Sequence, residues 1–269
     1  KGFVYINHHY YQELAGKLMH FIDNSPIELF NKPPEAGYIG GEESAALNTI
    51  EGSKTEPRLR PPFPVEKGLW GSPTLVNNVE TFYDVSLVFA GTYDGKRYFT
   101  VTGDCMWDGV YVFPENHSIS QILKETHNYP NFPFFVQVGG GASGEVLSSG
   151  QIDRPVGGAG SITIYSIAKH KPLDMLRKWI KFFMEESCGQ CTPCREGVYR
   201  LNEVLHSEKP DWNLFSDLLT NLSDAAFCGL GCAVPIPITS YIRNVVAYMP
   251  DNKINLPNVT RDLICDCFK

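Results

Sequence analysis

The stretch Glu186-Ser-Cys-Gly-Gln-Cys-Thr-Pro-Cys-Arg-Glu-Gly197 decides how the C-terminal part of this chain is organised. Its three cysteines, Cys188, Cys191 and Cys194, are separated by two residues each, so one tight loop can point several thiolates at a common centre. A cluster of four irons needs four thiolates, and the fourth must then come from elsewhere in the chain. Cys228 is the candidate, because a helical bundle would bring it back to the same end.

Two alternatives to this ligand set remain open from the residues alone. A zinc site normally draws on two Cys-x-x-Cys pairs, or on cysteine and histidine together, and the triplet has no second pair. Cys232 competes with Cys228 as the fourth ligand, because the two lie one helical turn apart if the segment is helical. The remaining cysteines are isolated, and we interpret them as bystanders: Cys105, Cys265 and Cys267.

The segments around these cysteines carry apolar residues at helical spacing, which predicts a bundle over residues 169–269. Pro172 is a favourable first residue for its first helix. The four apolar stripes are Leu176, Trp179, Ile180, Phe183 and Met184; then Val198, Leu201 and Leu205; then Phe215, Leu218, Leu219 and Leu222; then Ile238, Ile242, Val245, Val246 and Met249. The cysteine triplet joins the first two helices, and Cys228 lies where the third ends and the fourth approaches.

The rest of the chain shows mixed periodicity. Residues 1–95 combine a strand at 3–6 with a helical run at 10–21, which indicates an α/β domain, and prolines between residues 56 and 74 predict an extended or turning segment. Residues 96–168 show strand-like runs at 98–102, 110–113, 134–138 and 161–167, with a short helix capped by Ser118. This pattern predicts a β-grasp sheet. The run 139–144 formally matches a dinucleotide fingerprint, but no helix follows, so we interpret it as a loop.

Composition narrows the class of protein. The 269 residues include 43% hydrophobic residues, enough to bury a core, and the formal net charge of -7 excludes an overall basic nucleic-acid-binding protein. No stretch comes near the roughly 20 apolar residues of a membrane span, and no signal-peptide pattern opens the sequence. We therefore expect a soluble protein of the cytoplasm, or of an organelle matrix in a eukaryote, that can sit peripherally on a membrane complex.

Five blocks of the sequence together resemble one known family. They are Tyr38-Ile-Gly-Gly-Glu-Glu-Ser44, Arg58-Leu-Arg-Pro-Pro-Phe-Pro64, Val76-Asn-Asn-Val-Glu-Thr81, the cysteine block and Phe227-Cys-Gly-Leu-Gly231. In this order they resemble the NADH-binding flavoprotein subunit of respiratory complex I and its relatives in NAD-linked hydrogenases and formate dehydrogenases. The resemblance covers nearly the whole chain and favours Cys228 as the fourth cluster ligand.

The resemblance implies an FMN and NADH site in the N-terminal part, with FMN lying against residues 37–43. Glu42 and Glu43 look like the acidic pair of the family, one of which faces the nicotinamide end of NADH, so we interpret them as the catalytic residues. Arg60 stands where a lysine is usual, which keeps the charge but changes its geometry. The implied cofactor-binding residues are Tyr38, Gly41, Arg60, Phe63, Asn77, Asn78 and Thr81.

The resemblance also completes the expected architecture and function. The fold class is multidomain, α/β plus α+β: a partial Rossmann-like FMN/NADH domain at 1–95, an SLBB-like β-grasp domain at 96–168 and a C-terminal four-helix bundle at 169–269. The expected function is electron transfer from NADH through FMN to a 4Fe-4S cluster, in an NADH dehydrogenase-type oxidoreductase. The expected partners are a 2Fe-2S thioredoxin-like subunit and a multi-cluster subunit, with no nucleic acid and no direct membrane span.

Two departures from the family pattern bear on this expectation. The glycine-rich loop that wraps the FMN phosphate in the family is absent, and Gly40 replaces a cysteine of the usual block. Phosphates are usually held by backbone N–H groups of such loops. We therefore expect FMN binding and NADH oxidation to need a missing N-terminal part or a partner chain. The alternative is a flavin-free relay or docking subunit of a larger oxidoreductase, of hydrogenase or formate dehydrogenase type.

Overall fold

A computed structural model describes residues 1–141, 143–250, 254 and 256 of the chain. The chain divides into two compact units, Lys1–Thr81 and Phe82–Lys269. Cys265 and Cys267 lie outside the described residues.

The first unit opens with a β-α-β arrangement. Strand β1 (Gly2–Asn7) leads into helix α1 (His8–Ile22) and then strand β2 (Ile27–Lys32). The two strands pair in parallel, with Gly2 opposite Ile27 and Asn7 opposite Lys32. Helix α1 starts where it does because the Asn7 side chain accepts a hydrogen bond from the His9 N–H at 3.0 Å. The strand at 3–6 and the helix at 10–21 are thus confirmed.

Short helices fill the remainder of the first unit. Helix α2 (Glu43–Ile50) follows 3-10 turns at Pro34–Ala36 and Ile39–Gly41, helix α3 (Pro64–Lys67) precedes a 3-10 turn at Leu69–Gly71, and helix α4 (Val79–Ala90) runs across the boundary into the second unit. The expectation of no regular helix in the proline-rich segment is wrong at α3. Pro64 occupies the first turn of that helix, where its missing N–H is not needed.

The second unit contains a five-stranded sheet in the order β4-β3-β7-β5-β6. Its strands are β3 (Lys96–Gly103), β4 (Gly109–Pro114), β5 (Phe134–Val138), β6 (Glu145–Ser148) and β7 (Ser161–Ser166), with helix α5 (Ile119–Glu125) between β4 and β5. Only the β3–β7 pair is parallel, and the other pairs are antiparallel. The four strand-like runs of the sequence are present as strands, and the glycine-rich run leads into β6 rather than into a helix.

Helix α5 packs into the same core as the sheet. Ser118 caps it through a reciprocal pair of hydrogen bonds with Gln121, as the Ser118 signal indicates. The fully buried core side chains come from both the helix and the strands: Phe99, Val101, Ile119, Ile122, Leu123, Val136, Ile162 and Ile164. Because the helix and the strands share this core, α5 covers one face of the mixed sheet.

Five helices complete the described part of the second unit. They are α6 (Pro172–Glu186), α7 (Thr192–His206), α8 (Trp212–Ala225), the short α9 (Gly229–Ala233) and α10 (Pro235–Asn244), followed by a 3-10 turn at Val246–Tyr248. Contacts join α6 to α7, α7 to α8, and α10 to α6, α8 and α9. The first three apolar stripes correspond to α6, α7 and α8. The fourth stripe is interrupted, because helical conformation breaks at Val245, whose φ and ψ are -128° and -60°.

Helix α10 covers the edge of the sheet at β6. The Ser240 hydroxyl accepts a hydrogen bond from the Val146 N–H at 2.9 Å, and the Asn244 side-chain amide donates to the Val146 carbonyl at 2.7 Å. A strand edge left unpaired in the interior would cost free energy, and these two side chains satisfy it. On α6, the Trp179 indole N–H donates to the Gln137 side-chain carbonyl of β5 at 3.1 Å. The sheet and the helices therefore form one packed unit.

One stretch of the described chain, Gly229–Tyr248, is by length and composition apolar enough to cross a membrane. The expectation that no stretch comes near this threshold needs that correction. However, 78% of its apolar window is buried inside the protein. This burial is typical of core helices in folded domains.

Candidate iron–sulfur centre and acidic cluster

The cysteine triplet lies between α6 and α7, where the sequence places it. Cys188 and Cys191 lie in the loop between the two helices, with Cys191 as the residue that precedes the first residue of α7. Cys194 differs from the expectation, because it lies within the first turn of α7 rather than in the loop. Gly189 makes the turn possible with φ of +75°, a left-handed conformation that glycine adopts without strain.

Hydrogen bonds hold this loop in one shape. The Arg195 guanidinium donates to the Gly189 carbonyl at 2.8 Å, which ties the start of α7 back onto the loop. The Ser187 hydroxyl lies 3.3 Å from the Cys194 sulfur and accepts from the Gly189 N–H at 3.4 Å. Sequence reasoning did not single out Ser187 or Arg195, although both stand inside the quoted block. They orient the cysteines rather than bind a metal.

Cys228 comes to the same place from a second helix. It is the residue that precedes α9, directly after α8 has ended, and the backbone N–H groups of Leu230 and Gly231 donate toward its sulfur. Gly231 has no side chain to keep this turn away from α7. A Cβ atom on Gly231 would lie only 3.3 Å from the Cβ of Cys194 and 2.6 Å from that of Ala226. The first turns of α7 and α9 therefore meet at a glycine.

The four thiols share one electrostatic environment. Burial, reinforced by negative charge on Cys191, Cys228 and Cys188 and opposed by the hydrogen bond with Ser187, raises the pKa of Cys194 to about 11. Burial likewise raises the pKa of Cys228, opposed by its two backbone N–H groups and reinforced by Cys188 and Cys191. Four thiolates so close together need positive charge to be stable. Bound iron supplies that charge and deprotonates its thiol ligands, so these residues fit an iron–sulfur cluster.

The spacing of the thiols bears on the zinc alternative. In the part of the chain that the structure describes, no three histidine, cysteine, aspartate or glutamate side chains approach one point closely enough to bind a single metal ion. A zinc ion needs four ligands at bonding distance. A 4Fe-4S cubane is larger, because each thiolate binds a different iron.

The two other described cysteines differ in their surroundings. Cys232 is buried, donates a weak hydrogen bond to the Ala226 carbonyl at 3.4 Å, and has its pKa raised to about 11 by burial and by its neighbours Cys228 and Cys191. Cys105 follows β3, far along the chain, and its pKa is raised by burial and by the acidic neighbours Asp108 and Asp104. Only Cys232 belongs to the environment of the four thiols.

In the first unit, the acidic pair meets an arginine. Glu42 caps α2 by accepting hydrogen bonds from the Ala45 N–H at 2.8 Å and the Ser44 hydroxyl at 2.6 Å. The Arg60 guanidinium forms an ion pair with the other oxygen of Glu42 and with Glu43, the latter at 2.7 Å. The two glutamates lie side by side because they follow one another in the sequence. Their pairing with Arg60, which lies 18 and 17 positions further along the chain, required the fold.

An aromatic ring, that of Phe63, borders this cluster of Glu42, Glu43 and Arg60, which we call the acidic–arginine cluster. The Arg60 guanidinium lies 5.8 Å from the centre of the Phe63 ring, and about half of the Phe63 side chain is exposed. Tyr38 is also exposed, at the start of the Ile39–Gly41 turn that contains Gly41. The cluster thus presents both signs of charge and the face of one aromatic ring to solvent.

A second arginine, Arg58, joins the C-terminal end of helix α2 to the turn at Gly68. Arg58 donates to the Asn48 side chain at 2.7 Å and to the Gly68 carbonyl at 3.0 Å, and it pairs with Glu51 at 2.7 Å. Arg58, Glu51 and Gly68 line a cleft of about 430 Å³ together with Trp70, whose backbone N–H donates to Glu51 at 2.7 Å. Sequence reasoning missed this network, although Arg58 opens one of the quoted blocks.

The remaining implied FMN contacts lie at the start of α4. Asn77, Asn78 and Thr81 all have exposed side chains. Asn78 accepts a hydrogen bond from the Glu80 N–H at 2.9 Å, so it serves as the cap of α4. Their exposure leaves them available to a ligand, and their role as FMN contacts stays a prediction.

Residues 174–249 match the family described as the NADH-ubiquinone oxidoreductase-F iron–sulfur binding region. The chain carries that iron–sulfur binding region. All four candidate ligands lie within it: Cys188, Cys191, Cys194 and Cys228. The matched region is described by its iron–sulfur binding, and it contains the cysteines near the starts of both α7 and α9. This agrees with the geometry.

Relatives extend the similarity beyond the iron–sulfur binding region. The chain is 31% identical to an NADH-quinone oxidoreductase subunit of Aquifex aeolicus over 229 residues, which cover 76% of the chain and 54% of the relative. It is 35% identical to the alpha subunit of the NAD-reducing hydrogenase HoxS of Cupriavidus necator over 234 residues, covering 77% of the chain and 37% of the relative.

A solved structure shares the fold. A chain in the crystal structure of an NAD+-reducing [NiFe]-hydrogenase superposes with a TM-score of 0.81 at 26% identity, over 90% of this chain and 47% of the other. The chain spans about half the length of the curated relatives it matches. The mixed α/β architecture is therefore that of a hydrogenase flavoprotein-like fold.

Proposed function

We propose that this chain is an electron-transfer component of an NADH dehydrogenase-type oxidoreductase, and that Cys188, Cys191, Cys194 and Cys228 hold its 4Fe-4S cluster. The observation that supports this proposal most directly is the close approach of Gly231 to Cys194. This contact joins the first turns of α7 and α9, and it brings cysteines from both into one electrostatic environment. Such a cluster accepts and releases single electrons, and its potential is set by burial and by hydrogen bonds to its sulfurs.

The chain contributes three effects to that cluster. The N–H groups of Leu230 and Gly231 face the Cys228 sulfur and stabilise negative charge on it. The start of α7 places the positive end of a 15-residue helix beside Cys191. Burial of Cys191 and Cys194 keeps water away from the ligands.

We further propose that the acidic–arginine cluster of the first unit forms the NADH side of a flavin site, with Glu42 and Glu43 as catalytic residues. FMN, when bound, converts the two-electron donor NADH into a source of single electrons. Within the chain, Arg60 orients both carboxylates, and Phe63 and Tyr38 offer rings to the dinucleotide. Asn77, Asn78, Thr81 and Gly41 are the proposed FMN contacts.

The flavin half of the proposal needs residues beyond this chain. The first unit holds only a two-stranded parallel sheet, and parallel sheets are normally larger and covered on both faces. Helices α1 and α4 have no buried residue in the described structure. We propose that a further segment, from a longer form of the chain or from a partner, completes a Rossmann-like domain and supplies the phosphate-binding loop.

The domain assignment accompanies this proposal. Residues 1–95 form the partial FMN/NADH domain, residues 96–168 an SLBB-like β-grasp domain and residues 169–269 a four-helix bundle.

The proposed partners are iron–sulfur subunits of the same complex, a 2Fe-2S thioredoxin-like subunit and a multi-cluster subunit. The proposed location is the cytoplasm, or the matrix of an organelle, peripheral to a membrane complex.

Anaerobic purification of the 269-residue chain tests the cluster assignment. We expect a brown protein with about four irons per chain and a reduced-state paramagnetic signal. A colourless protein that carries one zinc instead would contradict the cluster. A brown protein that never takes up flavin, even with the other components of its complex present, would favour the flavin-free relay.

A further inference from the structure

A fifth thiol lies beside the four candidate ligands. Cys232 is 2% exposed and is electrostatically coupled to Cys228 and Cys191. Of the eight cysteines in the chain, the cluster uses four, and Cys232 is the one other described thiol in this environment. Its contacts indicate what it does there.

The Cys232 side chain connects two helices. Its thiol donates to the carbonyl of Ala226 at 3.4 Å, and its backbone N–H donates to the carbonyl of Cys228 at 3.2 Å. Ala226 is the residue at which α8 ends, and its own N–H still bonds to Leu222 in α8 at 3.3 Å. Cys232 therefore fastens the end of α8 to the first turn of α9.

This fastening acts on the turn that carries Cys228. Ala226 and Cys232 lie on the two sides of Cys228 along the chain, so their hydrogen bond closes a loop around it. Within the loop, the N–H groups of Leu230 and Gly231 point at the Cys228 sulfur. The side of the loop at Gly231 packs against Cys194, where there is no room for one extra carbon atom.

We propose that Cys232 is a positioning residue for the iron–sulfur centre, whose thiol holds Cys228 against the two backbone N–H groups that stabilise its charge. This inference rests on the proposed cluster. Cys232 acts through Cys228 and is not itself a ligand. Hydrogen bonds to cluster sulfurs favour the reduced, more negative state, so the contact raises the reduction potential of the centre.

Three variants of the full chain test the inference. Cys232→Ala removes the donor, and we expect it to keep about four irons while its midpoint potential moves negative and its reduced-state paramagnetic spectrum changes shape. Cys232→Ser keeps a hydroxyl donor for Ala226 and should return both readouts toward the wild type. Cys105→Ala is the matched control, since it removes a partly buried thiol near the sheet, and it should behave as the wild type.

The outcomes separate this inference from the proposed function. A wild-type chain without iron would overturn both. A wild-type chain with iron, together with a Cys232→Ala variant of unchanged potential and spectrum, would overturn the positioning role alone. Loss of iron from Cys232→Ala with retention in Cys228→Ala would also overturn it, because Cys232 would then be the fourth ligand. An altered potential in Cys232→Ser as large as in Cys232→Ala would show that the donor is not what matters.

Discussion

Gly231 lies directly against Cys194, at a point where a Cβ atom on the glycine would come within 3.3 Å of the cysteine Cβ. The same atom would meet the Cβ of Ala226 at 2.6 Å. Neither neighbour has a flexible side chain that could move aside. The absence of a side chain at this position thus allows two helix starts to share one centre.

A methyl group at Gly231 should disrupt the centre. We expect Gly231→Ala to lower the free energy of unfolding by about 1–3 kcal/mol and to reduce iron content, because the two turns must separate. Gly16→Ala is the control, since a Cβ there meets nothing within 4 Å and alanine is preferred in a helix. Thermal unfolding and iron analysis of both variants check the prediction, and equal iron in Gly231→Ala and the wild type would contradict it.

Loss of a cluster ligand should reduce the iron content more than loss of the neighbouring Cys232 thiol. We expect Cys191→Ser and Cys228→Ala to abolish the brown colour and the reduced-state signal, since a cubane needs four thiolates. Cys232→Ala should keep the colour. Visible absorption and iron analysis after anaerobic reconstitution distinguish these cases. Four irons per chain in Cys191→Ser would remove the triplet from the ligand set.

The flavin should bind weakly or not at all to the 269-residue chain alone. The proposed contacts Asn77, Asn78 and Thr81 are exposed, and no glycine-rich phosphate loop accompanies them. Equilibrium dialysis of the purified chain against FMN and NADH measures this directly. Stoichiometric binding at micromolar FMN or tighter would show that the chain needs no further segment.

Gly40 should resist replacement by the cysteine that the family resemblance leads one to expect. A Cβ there would lie 2.9 Å from both the Ala36 Cβ and the Lys32 Cε, and 3.3 Å from the Tyr5 hydroxyl. We expect Gly40→Cys to destabilise the first unit by about 1–3 kcal/mol through overpacking. Hydrogen exchange of residues 1–81 in increasing denaturant reports on this unit. A variant as stable as the wild type would mean that Ala36 and Lys32 yield easily.

The stability of the second unit should fall in acid through Asp104. Burial alone would raise the pKa of this carboxyl, but hydrogen bonds from Lys169, the Ser166 N–H and His170 outweigh burial and lower it from 3.8 to about 2. The unfolded chain therefore takes up the proton first as the pH falls. Stabilisation of about 1–2 kcal/mol, present above pH about 4, should be lost between pH about 4 and about 2.

Asp104→Asn tests that assignment. The variant should be less stable than the wild type at pH 6, and the difference should shrink as the pH approaches 2, because the wild type then loses the same charge. Urea denaturation at several pH values measures both chains. A difference that stays constant with pH would assign the effect to packing rather than to the carboxylate.

Much of the local structure could be predicted from neighbouring residues. Ser118 and Gln121 mark the start of α5, alternation marks β3 and β4, and 3.6-residue periodicity marks α6, α7 and α8. Strands β2 and β6 were missed. Strand β6 has only four residues after a glycine-rich run, so it carries too little alternation to be recognised. Strand β2 is as long as β1, and its strand character depends on its pairing with β1 in the fold.

The sequence by itself determined the candidate residues for the chemistry: three cysteines at two-residue spacing, a fourth before Gly-Leu-Gly, and two adjacent glutamates at the start of a helix. These are local patterns, set by residues within a few positions of each other. Only the tertiary structure decided that Gly231 meets Cys194, that Arg60 pairs with Glu42 and Glu43, and that Ser240 completes the edge of β6 at Val146. Those contacts join residues 17 to 94 positions apart. They form when packing buries apolar surface over whole elements, and no local pattern records which elements meet.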